Sequence, residues 1–203
     1  MDKFLRLISR LSIGVLIIFE LLNQLGFLHY SLDFTWLGLA ITSIIVWFLV
    51  ETCSHLLRKY CGHPVAGWVL FLTAAGLYVD ALGDIMRWYG NFGWYDQVAH
   101  SVGGAAAGGI LFFIIYSFNR AGKIKLTHFS QAAFALCASS FFGTLYELEE
   151  YFEDYFTGSK RLGDGSDTAN DMFLNLTGAL IIILITTLYL RFKKTAKKQY
   201  VSN

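Results

Sequence analysis

The residues in this chain best suited to chemistry are carboxylates gathered around one histidine. They are densest in Tyr146-Glu-Leu-Glu-Glu-Tyr-Phe-Glu-Asp154 and, after a short linker, in Gly163-Asp-Gly-Ser-Asp-Thr-Ala-Asn-Asp-Met-Phe-Leu-Asn175. Both stretches join strongly apolar segments, where unpaired charge is expensive and marks a functional candidate. Upstream, Asp96 and His100 stand four residues apart, as do Asp80 and Asp84.

Residues three or four apart share one face of a helix. On that spacing Asp96, His100, Gly104 and Gly108 form one stripe, and Thr73, Gly76, Asp80, Asp84 and Arg87 another. Ser140, Gly143, Glu147 and Glu150 form a third, with Asp154 one turn further, and Asp167, Asp171, Asn175 and Gly178 a fourth. Each face is small toward one end and acidic toward the other, so the four should pack inward through their small residues, as helices in membranes do. Asp80, Asp84, Asp96, His100, Glu147, Glu150, Asp167 and Asp171 then converge, with Arg87 the nearby base at helical reach. Seven carboxylates cannot all stay ionised side by side without a counter-charge. A divalent cation would supply it: oxygen donors suit magnesium, calcium or manganese, and an added imidazole admits zinc or iron. The expected metal ligands are Asp96, His100, Glu147, Glu150, Asp167 and Asp171, with Asp80, Asp84 and Asn175 beside them.

Simpler readings cover part of this set. Carboxylates favour a helix's first turn, which would explain Asp96 and Asp167, but Asp80, Glu147 and Asp171 lie a turn or more inside their segments. Glu149, Glu153 and Asp164 are expected to face solvent, and Asp154 is open between the two roles. Glu20 and Asn23 either extend the cluster or bond between helices, and Glu51 is expected to pair with Arg58 or Lys59. Trp88, Tyr89, Trp94 and Tyr95 suit an aromatic belt or a lid over the site.

The elements that must position these residues are long and apolar. Of the 203 residues 55% are hydrophobic and 15% charged, and the mean hydropathy is +0.50, which is a membrane composition. A spanning helix needs roughly 20 apolar residues. Six stretches qualify: Phe4 to Phe27, Phe34 to Leu57, Ala66 to Met86, Gln97 to Phe118, Phe129 to Phe152 and Thr168 to Phe192. The expected fold is thus all-α, a single polytopic transmembrane bundle of about six spans over residues 1–203. No small-x-small cleavage site follows the first apolar run before Asn23, so it is expected to remain as a span. Lys and Arg test the division, because they collect in cytoplasmic loops. Lys3, Arg6, Arg10, Arg58, Lys59, Arg120, Lys123, Lys125, Arg191, Lys193, Lys194, Lys197 and Lys198 fall on one side, 13 of the 16, with Arg87, Lys160 and Arg161 opposite. Both termini should be cytoplasmic. Twelve of the 15 acids lie at or near the outer face. Cys53, Cys61 and Cys137 have no metal-ligand spacing, and no phosphate-binding loop, dinucleotide fingerprint, serine elbow or HExxH is present. The bases do no more than topology requires, which argues against nucleic acid as a partner.

Tyr95-Asp96-x-x-x-His100, Tyr146-Glu147-x-x-Glu150 and Gly163-Asp164-x-x-Asp167-Thr168-x-x-Asp171-Met172, followed by Asn175 and Gly178-Ala179, resemble the YjdF-type bacterial inner-membrane proteins. More loosely, Asp-x-x-x-His, a glutamate, then Asp-x-x-x-Asn-x-x-Gly is similar to VanZ-like membrane proteins. The resemblance covers roughly the C-terminal half. It implies a multi-pass bacterial cytoplasmic-membrane protein and supports Asp96, His100, Glu147, Glu150, Asp167, Asp171 and Asn175 as site residues. It supplies no reaction.

Two functions and a bland alternative follow. A metal-dependent site opening outward would hydrolyse or transfer groups on a lipid or lipid-linked headgroup, with His100 or Glu147 carrying the proton. An ion or proton pathway would need polar residues continuing inward, such as Glu20, Thr73, Gln131 and Ser139. A structural cluster would only fix helix register.

Overall fold

The computed structural model describes the backbone of residues 1–201 and the side chains of residues 1–193. The reading of Lys194, Lys197 and Lys198 therefore falls on side chains outside the described residues. Seven helices follow in order: α1 (Asp2–Gln24), α2 (Trp36–Cys61), α3 (Gly67–Ile85), the single turn α4 (Trp88–Asn91), α5 (Tyr95–Arg120), α6 (His128–Thr157) and α7 (Gly165–Val201). No strand occurs among the described residues. The six long helices coincide with the six apolar stretches, and α2, α3, α5 and α7 are long and apolar enough to cross a membrane.

Local chemistry sets the boundaries. Thr35 caps α2 by accepting from the Gly38 N–H at 3.1 Å, and Thr127 caps α6 by accepting from the Ser130 N–H at 3.0 Å; each hydroxyl satisfies a donor that the helix leaves free. Both helices end on a left-handed glycine, Gly62 (φ 78°) and Gly158 (φ 73°), where a Cβ would be strained. The carboxylate of Asp2 accepts from the Gly67 N–H at 2.6 Å, tying the start of α1 to the start of α3.

These contacts give the directions. α1 and α3 pack directly on each other and run parallel, and α2 lies antiparallel against α1, held by Arg10 to Glu51 at 2.5 Å near one end and Ser43 to Glu20 at 3.1 Å near the other. Glu51 thus pairs with Arg10 on the neighbouring helix, not with Arg58 or Lys59 about two turns along its own. α5 and α7 are also parallel, because Gly104 meets Asn175 and Gly108 meets Ala179. A Cβ on Gly104 would overlap the Asn175 backbone, and one on Gly178 the Ser101 carbonyl. The glycine stripe is a backbone-to-backbone seam, as its spacing suggests. α6 packs antiparallel against both, and α3 against α5 joins the two triplets.

The interior is built of small and medium residues. Ile13, Leu16, Leu39, Ala74, Leu77 and Ala81 pack between α1, α2 and α3; Phe112, Ala135 and Ile183 pack between α5, α6 and α7. The outside is apolar as well: Leu11, Val15 and Ile18, Ile44, Ile45 and Phe48, and Ile181, Leu184 and Ile185 are all exposed. Apolar surface of that extent suits lipid, not water.

Candidate functional site

The site forms where α5 and α7 begin and α3 and α6 end. Asp96 and His100 occupy the first two turns of α5, Asp171 and Asn175 the second and third of α7, and Glu147 and Glu150 an inward face of α6. Parallel α5 and α7 aim two helix N-termini, and thus two positive dipole ends, at this level of the bundle.

His100 is the centre. Its ring is 5% exposed, and both nitrogens face carboxylates. Nε2 lies 3.4 Å from Asp96 Oδ1 and 3.8 Å from Asp171 Oδ2. Nδ1 lies 3.7 Å from Glu147 Oε1 and 3.2 Å from Asn175 Nδ2. Asp96, His100 and Asp171 can each offer one ligand atom with all three inside 4.8 Å, and so can His100, Glu147 and Glu150. Both oxygens of buried Glu147, and Oδ1 of Asp171, accept a hydrogen bond from no described protein group. Buried carboxylate oxygens are ordinarily satisfied, so these are the atoms of the cluster suited to take a proton, a cation or a donor from outside the chain.

The second half of the cluster has a protein counter-charge, Arg161, which lies in the link between α6 and α7. Its side chain is 3% exposed. Nε donates to Glu150 Oε1 at 3.0 Å and Nη2 to Asp80 Oδ1 at 2.9 Å and to the Tyr146 hydroxyl at 2.5 Å. Nη1 reaches Glu153 at 3.8 Å, and the rings of Phe34 and Tyr146 flank the guanidinium with centroids 5.5 and 5.7 Å away. Burial opposes the charge, but Asp80, Tyr146 and Glu150 overcome it and hold the Arg161 pKa well above its ordinary value. The link is shaped for this. Asp154 accepts from the Arg161 N–H at 2.8 Å and the Leu162 N–H at 3.2 Å, which folds the chain back over the end of α6.

Several expectations change accordingly. Arg87, proposed as the nearby base, is exposed and ends α3 in a left-handed conformation at φ 57°; the helix breaks before it can lean inward, and Arg161 takes the role. Glu153, expected in solvent, is 7% exposed. It reaches Arg161 and accepts from the Thr35 hydroxyl, because Gly38 leaves a space that a Cβ would fill. Glu149 is half-buried, while Asp164 is exposed as expected. Asp84 is brought into neither ligand group: its Oδ1 accepts from the Asp33 and Phe34 N–H groups at 2.7 and 2.8 Å, fastening the link between α1 and α2. Asp167 is exposed at the rim in the first turn of α7 and also lies outside both groups. Asp80 stands beside Arg161 and accepts from the Tyr89 hydroxyl at 2.9 Å. Burial, and then Asp80, push the Tyr89 pKa well up, which keeps that donor neutral. Trp88 and Tyr89 pack edge-on against Tyr95, so α4 covers this flank.

Arg161 escaped the helical-spacing argument because it sits in irregular chain. The available signal was topological: with Lys160 and Arg87 it is a rare base on the acidic side.

Comparison with known families places this architecture. Residues 8–192 match the family described as predicted membrane protein DUF2238. The chain belongs to that family. The YjdF-type resemblance is to the same family, and the match extends it across the first two helices, where no motif is visible. No curated protein and no solved structure matches this DUF2238 member.

Proposed function

We propose that this DUF2238 member is a six-span protein of the bacterial cytoplasmic membrane, both termini cytoplasmic, carrying an outward-facing divalent-cation site that acts on a lipid or lipid-linked headgroup. The orientation rests on the 13 bases that fall at one end of the helices and the 12 acids that fall at or near the other. The observation that carries the site is the buried carboxylate oxygens of Glu147 and Asp171, without a protein donor, on opposite sides of one imidazole.

Asp96, His100 through Nε2, and Asp171 would hold the ion, two carboxylates and one imidazole being an ordinary donor set for a hydrolytic metal. Glu150 is the weaker candidate, since Arg161 already occupies its Oε1. Glu147 lies behind the ring at Nδ1, where a carboxylate orients a metal-bound histidine and raises its basicity. A bound metal would polarise a phosphoryl or acyl oxygen and lower the pKa of a water. Glu147, on the far side of the ring from the ion, would act through His100, fixing the tautomer whose Nε2 faces the ion, and not on the attacking water. Arg161 engages Asp80 and Glu150 directly and Glu153 more distantly, which leaves them poorer ligands for the ion.

Elemental analysis of detergent-purified protein tests the proposal, with co-purified lipids identified by mass spectrometry. Wild type should retain a divalent metal near stoichiometry, and His100→Ala and Asp171→Ala should lose it. Equal metal content in all three proteins sinks the claim; lowered stability with no metal in any of them would mark the cluster as structural.

A further inference from the structure

Glu20 is the buried acid that the outer site does not use. It is 0% exposed, on α1, and its neighbours come from α2 and α3. Oε1 accepts from the Ser43 hydroxyl at 3.1 Å, while Oε2 has no described partner. The ionisable groups facing it are Tyr78 and Asp80, both on α3; α2 offers only Ser43. A carboxylate in that setting is costly and is kept where it exchanges something. One carboxylate and one hydroxyl are too few oxygens to hold a metal cation. They are enough to hold a proton.

A second observation gives the proton a route. A groove of about 450 Å³ opens between α1 and α3, toward the end of the bundle that holds the α1 N-terminus, lined in part by Ser9, Ser12, Phe71 and Tyr78. Ser9 Oγ is buried there without a partner, and the Tyr78 hydroxyl donates to the Ser12 carbonyl at 3.0 Å. The lining is otherwise apolar, from Ile8, Phe71, Ala74 and Ala75, so Ser9, Ser12 and Tyr78 form one polar strip along it, and the unmet hydroxyl of Ser9 is the place on that strip for a water. Tyr78 thus stands between the groove and Glu20, which lies two turns, about 12 Å, further along α1 than Ser12. On the other side, Asp80 continues to the Tyr89, Tyr146 and Arg161 network at the outer end.

We propose that Glu20 is an intramembrane proton-binding site that passes protons between the Ser9, Ser12 and Tyr78 groove and the Asp80 end of the outer cluster. The step is transfer alone: a proton arrives on Oε2, the carboxylate is neutralised, and the proton leaves toward Asp80 or back through Tyr78. This stands independently of the metal reading, because Glu20 touches none of Asp96, His100, Glu147 or Asp171.

Two measurements decide it. In liposomes of phosphatidylethanolamine and phosphatidylglycerol loaded with a pH-sensitive dye, a potassium diffusion potential should drive acidification with wild-type protein; Glu20→Gln should reduce it to the rate of protein-free vesicles, and Ser43→Ala should change it. The Glu20→Gln protein should retain whatever metal wild type retains. In wild type alone, dicyclohexylcarbodiimide, which attacks protonated carboxyls in apolar surroundings, should modify the peptide containing Glu20, and less so as pH rises. Wild-type flux no greater than that of protein-free vesicles, unchanged flux in Glu20→Gln, or an unmodified Glu20 peptide across the pH range would each overturn the proposal. The labelling arm holds even if the substituted proteins fail to fold.

Discussion

Arg161→Met offers the most direct test of how this membrane bundle tolerates its acids. The guanidinium is buried and touches Asp80, Glu150, Tyr146 and, more distantly, Glu153, every one of them also largely buried. Methionine keeps the length and apolar stem but removes the charge, leaving three carboxylates with no cation. Removing one partner of a buried ion pair costs about 3–5 kcal/mol, because the survivor is left uncompensated. For a chain of this size each kcal/mol moves the melting temperature by roughly 2–4 °C, so a fall on the order of 10 °C is expected in detergent. Glu150→Gln in the Arg161→Met background should recover part of it by removing one orphaned charge. Arg87→Met is the control: that side chain is exposed, and its loss should cost under about 0.5 kcal/mol. If Arg161→Met and Arg87→Met melt within about 1 °C of each other, Arg161 is not the counter-charge and the reasoning fails.

Two further outcomes follow from the packing and the caps. Gly178→Val would drive a side chain into the Ser101 carbonyl and the Ala105 N–H; overpacking of this kind costs about 1–3 kcal/mol, and in denaturant titration it should exceed the cost of the same change at Gly103, where a Cβ meets nothing within 4 Å. Asp164 caps α7 by accepting from the Ser166 hydroxyl at 2.6 Å and from the N–H groups of Ser166 and Asp167 at 2.8 and 3.0 Å; the Ser166 hydroxyl, then the backbone groups, hold its carboxyl below its ordinary value. A folded-state value below the unfolded one means that the cap is fully present above the usual carboxylate range and lost as pH falls below it. Amide exchange in the first turn of α7 should therefore rise only in that acid window, and Asp164→Ala should abolish the pH dependence.

The parts of this protein that repeat with the helix were legible in the sequence. Six apolar stretches became six long helices, and Asp96 with His100, Glu147 with Glu150, and Asp171 with Asn175 meet because a spacing of three or four residues is enough to put them on one face. The Gly104 and Gly108 stripe was readable for the same reason. What depends on irregular chain was not. Arg87 looked like the fifth member of the α3 face, but α3 ends at Ile85 and Arg87 itself is left-handed, so it leaves the face. Arg161 enters the bundle through a folded-back link that has no period, and Glu153 turns inward only because Gly38, over a hundred residues away, leaves it room. Asp84 was on the correct face yet is committed to two backbone N–H groups of the link between α1 and α2, a partner that side-chain patterning does not reveal.

The position of Arg161 bears on how the chain is assembled. α6 carries Glu147, Glu149, Glu150, Glu153 and Asp154 in its C-terminal half, and each acid weighs against its release from the insertion machinery into lipid on its own. The neutralising base is the next charged side chain but one after those acids, and the histidine they also face arrives earlier, on α5. During synthesis α6 would therefore wait, held beside α5, until the link carrying Arg161 and then α7 emerge. On the six-span reading, its entry into the membrane becomes one concerted event shared by three helices, and a chain interrupted between Thr157 and Arg161 would present quality-control proteases with an unpaired acidic helix.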